Sequence, residues 1–266
     1  MQQYFKYRNA WRYDGPPDKE EKIDSETKKS LLKNGGLFVR NTFGFDGEEN
    51  GFWYVVKDKF EGIESLKPRT RTKIRAAQKA FDYQIIDIDI IKKKGYLIIA
   101  ETHADYKVVD RKMNETTFSN YLSDCQKRKF DFWGIFDKNN HELVGFCAVR
   151  IWENSCEYDQ TGLLTIYKHG SDYPYYGLYH AMNQHYLQER QFQYVSDGSR
   201  TITEHSQIHD FLIQHFNFRK AYCQLEIHYQ WWMKIAVNLL YPFRSIITLP
   251  RIKAVLNMEA MQRGAK

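Results

Sequence analysis

The five residues Ser196-Asp197-Gly198-Ser199-Arg200 place a carboxylate, two hydroxyls and a guanidinium at the end of a short strand-like run, QYVSD. Ligand sites in α/β sheets gather at the C-terminal ends of strands. Asp197 is therefore a candidate base or substrate anchor. Arg200, with Ser199, is a candidate holder of an anionic substrate group. The plainer readings are a turn aspartate before a glycine and a surface arginine. Glu157 and Asp159 stand two apart in another strand-like run, so alternation puts both on one face. They read either as a carboxylate pair or as a solvated edge. His205 and His209 have the i, i+4 spacing of metal ligands, but no third ligand lies near them in the chain, and no metal is expected. The four cysteines, at 125, 147, 156 and 223, form no CxxC pair and read as free thiols in a reducing compartment.

These residues need elements to hold them. LFVRNTF and GFWYVVKD read as two strands joined by a turn at 46–51, arranged as a hairpin. Pro68 opens a basic helix running to about Phe81, with Arg69, Arg71, Lys73, Arg75 and Lys79 on it. YQIIDIDII reads as a strand, and the segments from Glu101 and from Asn114 as helices, the second N-capped by Asn114. FDFWGIFD, ELVGFCAVRIW and CEYDQTGLLTIYK read as three strands. GSDYPYYG is a loop, LYHAMNQHYLQER a helix, SQIHDFLIQHF a helix and FRKAYCQLEIHY the last strand. The remainder is helical, broken at Pro242 and Pro250. Three antiparallel strands followed by strand–helix–strand–helix–strand imply an α/β fold, a mixed sheet with helices on both faces. The expected division is an N-terminal extension over 1–82, a main domain over 83–229 and a helical tail over 230–266.

The 266 residues carry a formal net charge of +6. That is too mild to indicate a DNA-binding protein and suits a phosphate-bearing small ligand or an anionic membrane surface. No apolar run reaches the length of a membrane span, and the first fifteen residues lack a signal-peptide core, so cytoplasmic residence is the default expectation. The aromatic fraction is 16%, and Trp231, Trp232, Tyr241 and Phe243 mix with Lys234 and Arg244 in the tail. Residues 231–247 are thus either a peripheral membrane contact or a surface packed on the domain or on a second copy in a homodimer.

The element order, with IHDFLIQHFNFRKAYCQLEI near the C-terminus, resembles the GNAT superfamily of acyl-CoA N-acyltransferases. LKPRTRTKIRAAQKAFDYQI resembles the basic helix of the Fem family of aminoacyl transferases. Together the resemblances cover roughly Phe52 to Tyr229. They imply a GNAT-like fold and a transferase moving an acyl group, such as acetyl, from acyl-CoA to a primary amine, with an amino sugar or a cell-envelope precursor as acceptor. The Fem resemblance implies aminoacyl-tRNA as an alternative donor. A GNAT-like binding module without activity is the non-enzymatic alternative.

The resemblance also assigns roles. Asp197, Glu157 and Asp159 stand where the family keeps its base, and Tyr222 stands near its general acid. Lys168, His169, Gly170 and Gly177 fall in the loop where the family's backbone amides and helix N-terminus hold the coenzyme A pyrophosphate. Here that loop, YKHGSDYPYYGLYHAM, lacks the family's contiguous basic-x-x-Gly-x-Gly pattern.

Overall fold

A computed structural model describes residues 4–7, 9–104, 112–200 and 207–264. Its strands are β1 (Tyr4–Tyr7), β2 (Ala10–Tyr13), β3 (Phe38–Gly47), β4 (Trp53–Lys57), β5 (Phe81–Ile86), β6 (Phe130–Asp137), β7 (Leu143–Ile151), β8 (Ser155–Leu163), β9 (Tyr194–Ser199) and β10 (Arg219–Tyr229). Its α-helices are α1 (Ser25–Lys33), α2 (Pro68–Ala80), α3 (Ile88–Ala104), α4 (Glu115–Lys127), α5 (Thr165–Lys168), α6 (Pro174–Asn183), α7 (Gln207–Phe216), α8 (Trp231–Leu240) and α9 (Pro250–Gln262). The fold is α/β, with mixed sheets flanked by helices.

The chain forms two compact units. The first gathers Met1–Val55, Ser199–Asp210 and Arg219–Lys266. Its strands run in the order β1-β2-β3-β10-β4. The expected β3/β4 hairpin does not form, because β10 lies between them and pairs antiparallel with β3 from Tyr229↔Phe38 to Tyr222↔Gly47. β10, rather than β4, thus supplies the backbone partners of the buried Arg40, Asn41 and Thr42 of β3. A polar knot secures this unit. The Glu20 carboxylate accepts from the Asn41 Nδ2 at 3.0 Å, the Thr42 N–H at 2.9 Å and the Thr42 hydroxyl. The tail docks through Met233, Val237 and Leu256, which pack with Leu37, Phe38 and Tyr229.

The second unit holds Val56–Gly198 and Phe211–Phe218, with strand order β9-β8-β7-β6-β5. β8 and β9 are parallel, and the other pairs are antiparallel. Alternation along β7 sorts the two faces. Phe146 and Ala148 join a cluster with Ile91, Ile98 and Ile99 of α3 and Phe118 and Leu122 of α4. On the opposite face Trp133 and Tyr158 pack with Tyr179 of α6 and with Tyr186 beyond it.

Two local expectations need correction. β5 stops at Ile86 rather than running through IDII. Asp87 accepts the Asp89 N–H at 2.7 Å and opens α3 instead, the usual N-terminal use of an aspartate. The stretch Pro174–Gly177, read as loop, is the first turn of α6, with proline at its start where its missing N–H costs nothing. Asn114 does cap α4, accepting from the Thr117 N–H at 2.8 Å.

Candidate functional site

The parallel pair β8/β9 is short. Ser155 faces Tyr194, Cys156 faces Val195 and Glu157 faces Ser196. Among the described residues the ladder ends there, although β8 continues to Leu163 on the arm of β7. The register between β7 and β8 slips at this point. Val149 lies opposite Tyr158 and Ala148 opposite Gln160, leaving Asp159 as an extra residue. Such a bulge bends its strand and sharpens its twist. The two parallel strands therefore part just past Glu157 and Ser196, at the β9 end of the sheet of the second unit.

Asp197 stands at the opening, half-buried on β9. Burial, and then the Glu157 charge, push its carboxyl well above the usual carboxylate range. Gly198 turns the chain with φ +82°, and a Cβ placed there would lie 3.9 Å from the Glu157 carboxyl carbon. The Gly198 N–H donates to Ser196 Oγ at 3.0 Å, fixing the turn. The Asp159 carboxylate accepts from the Tyr121 hydroxyl of α4 at 2.7 Å. On the α6 face, Tyr179 is fully buried. Burial, and then the Asp197 charge, raise its phenol well above the usual tyrosine range, and it shares a hydrogen bond with Thr161. No residue pattern marks Tyr179, one of nineteen tyrosines, or the bulge that brings Thr161 and Tyr158 to one face.

The loop between β8 and α6 splits in character. His169 and Gly170 are exposed, and a Cβ on Gly170 would meet nothing closer than 3.9 Å. Lys168 turns back, its Nζ 3.5 Å from the carbonyls of Glu101 and Thr102. Gly177 is held in the interior: a Cβ there would lie 2.2–2.5 Å from the Tyr83 ring, whose hydroxyl donates to the Pro174 carbonyl at 3.1 Å. The first turn of α6 lacks one N–H at Pro174, and the Tyr176 N–H is used by the Tyr173 carbonyl at 2.9 Å. A pyrophosphate would thus find room at Gly170 and fewer donors than a glycine-rich loop provides.

On α2, Arg71 and Arg75 pair with Glu64. Lys73 donates to the Tyr176 hydroxyl at 3.0 Å and lies over the Tyr173 and Tyr176 rings. Tyr176 packs edge-on against Phe211, 4.9 Å between centroids. Arg69 and Lys79 remain exposed.

Ser199, Arg200 and Tyr222 fall in the first unit. Ser199 Oγ accepts from the buried Arg40 at 3.4 Å, and Arg40 also donates to the Tyr54 hydroxyl at 3.2 Å. The Arg200 N–H donates to the Trp53 carbonyl at 2.7 Å, and its guanidinium donates to the Gly51 carbonyl. Tyr222 sits opposite Gly47 at an irregularity of the β3/β10 ladder. His209 is buried edge-on to Trp53 at 5.5 Å, and His205 lies outside the described residues.

No family model and no curated protein matches the sequence. Solved structures do share the architecture. FemX is similar over 77% of this chain and 68% of its own, with a TM-score of 0.52 at 12% identity. L-PGS from Bacillus licheniformis is similar over 98% of this chain and 85% of its own, with a TM-score of 0.50 at 10% identity. The chain shares the fold of FemX and L-PGS. A tandem GNAT protein from the clavulanic acid biosynthesis pathway also aligns, over 82% of this chain and 74% of its own, with a TM-score of 0.43 at 11% identity. Identities this low speak for the fold and leave the chemistry to the site.

Proposed function

We propose that the chain is an N-acyltransferase that carries an acyl group from an activated donor to a primary amine at the opening between β8 and β9. The observation that supports this reading most is the proton-avid Asp197 carboxyl beside Glu157, where the two parallel strands part. An ammonium acceptor must lose a proton before it can attack. A carboxyl whose proton affinity is raised by burial is a stronger base than an ordinary one. The amine nitrogen then bonds to the donor carbonyl carbon, and the proton passes to Asp197. The carbon–sulfur bond of a thioester, or the carbon–oxygen bond of an ester, breaks, and the leaving group takes up a proton.

Acyl-CoA is the donor that the GNAT likeness suggests, with an amino sugar or a cell-envelope amine as acceptor. The open ground at Gly170 and the exposed His169 would meet its phosphates. A second donor, aminoacyl-tRNA, is favoured by the FemX likeness and by the exposed Arg69 and Lys79 on α2. Calorimetric titration with acetyl-CoA, set beside filter retention of aminoacyl-tRNA over a salt series, separates them. Saturable acetyl-CoA binding supports the first donor. Retention that falls steeply with salt and no acetyl-CoA binding transfers the reading to the second. Absence of both removes the enzymatic proposal.

A further inference from the structure

Eight of the fourteen exposed large apolar side chains among the described residues lie between 231 and 249. Helix α8 explains how. Met233 and Val237 face inward and anchor it. At about 100° per residue, Trp231, Trp232, Ile235 and Leu239 fall within an arc of about 100° on the other side. Trp231 is 75% exposed and Leu239 69%. The short turn Tyr241–Phe243 then carries the stripe on to Phe243 and to Ile246, which is 73% exposed. A helix that is apolar on two faces hides one of them in its own domain and needs a second medium for the other.

Charge selects the medium. Between Glu226 and Glu259 the sequence contains no Asp or Glu, whereas Lys234, Arg244, Arg251 and Lys253 all fall in this interval. Lys234 and Arg244 are exposed beside the apolar stripe. A second copy of the same surface would bring like charges together. A protein partner would need its own acidic rim. An anionic lipid surface satisfies both halves at once: indole and aliphatic groups enter the acyl boundary while the cations meet the headgroups.

We propose that residues 231–249 form a peripheral docking surface for an anionic bilayer, with α8 lying in the plane of the membrane. No helix among the described residues is long and apolar enough to cross one, and lying flat needs no such length. This inference stands apart from the donor and from the site between β8 and β9.

The test is co-sedimentation of the full chain with vesicles of phosphatidylcholine alone and of phosphatidylcholine with phosphatidylglycerol. Tryptophan emission and sedimentation velocity are measured in parallel. The expected result is binding to the anionic vesicles at least about tenfold stronger than to neutral ones, weakened by salt, with a blue-shifted emission. Ile235→Glu with Leu239→Glu should abolish binding. Lys234→Glu with Arg244→Glu, at surface positions that leave the anchor untouched, should lower binding to the anionic vesicles to the neutral level. Equal binding to both vesicle types, no binding to either, or a dimer that buries the tryptophans without lipid would overturn the proposal.

Discussion

Replacing Asp197 with asparagine should separate stability from activity in opposite directions. Burial and the Glu157 charge both penalise the ionised carboxyl. A group whose folded pKa is raised supports the fold fully below its unfolded value, near 4, and that support is lost as pH rises through its folded value. At neutral pH the native protein therefore carries a penalty that the neutral amide lacks. Relief of such functional strain is typically about 1 kcal/mol, or about 2–4 °C in melting temperature for a chain of this size. Below pH 4 the two proteins should melt together, and the gap should open as pH rises. Activity should move the other way, with kcat/KM falling about 10²–10⁴-fold as the base is lost. Glu157→Gln removes the second cause of the shift and should move the acidic limb of the pH–rate profile to lower pH. Thermal melts from pH 3.5 to 8 and pH–rate profiles of both variants provide the check. A variant that melts lower than the parent at neutral pH, or that keeps full activity, refutes the reasoning.

Three further outcomes follow from the packing. Gly177→Ala forces a methyl into the Tyr83 ring and should lower stability by about 1–3 kcal/mol, seen in urea melts, with much of the loss recovered by Tyr83→Leu. Glu20→Ala strips the Asn41 amide and the Thr42 N–H of a buried acceptor and should destabilise by about 2–3 kcal/mol, whereas Asp46→Ala, which breaks an exposed pair with Arg219, should cost under about 1 kcal/mol. All four cysteines are buried free thiols, and burial pushes Cys125 and Cys223 up to about 12, so a thiol reagent at pH 8 should label the native protein slowly and the urea-unfolded protein at four sites.

What the sequence revealed was local. The Asn114 cap, the three strands from Phe130 to Leu163 and the position of Asp197 at a strand end follow from neighbours within a few residues. So does the turn at Gly198, where a positive φ suits the glycine. What escaped was set at long range or by competition. Asp87 could continue a strand or cap a helix, and only the packing of Ile91 against Phe146 decides for the helix. The β3/β4 reading failed because the partner of β3 lies near the other end of the chain. The bulge at Asp159 depends on the register with β7, which no residue type announces. Tyr179 became visible only once α6 was laid under β8. For the loop after Leu163, the residue types suggested phosphate contact, and the structure shows two of them, Lys168 and Gly177, engaged with their own scaffold.

The insertion of β10 between β3 and β4 also fixes when the protein can fold. Asn41 meets its cross-strand neighbour Glu226 only after about 180 further residues have been made, an interval of roughly 10–40 s at ordinary rates of synthesis. During that time β3 offers an unpaired edge in a nascent chain, the situation in which strands find wrong partners. The second unit, by contrast, has all its strands by Gly198 and can collapse while the ribosome is still at work. A nonsense codon at Arg219 would therefore release a chain whose second unit is complete and whose β3 lacks its β10 partner.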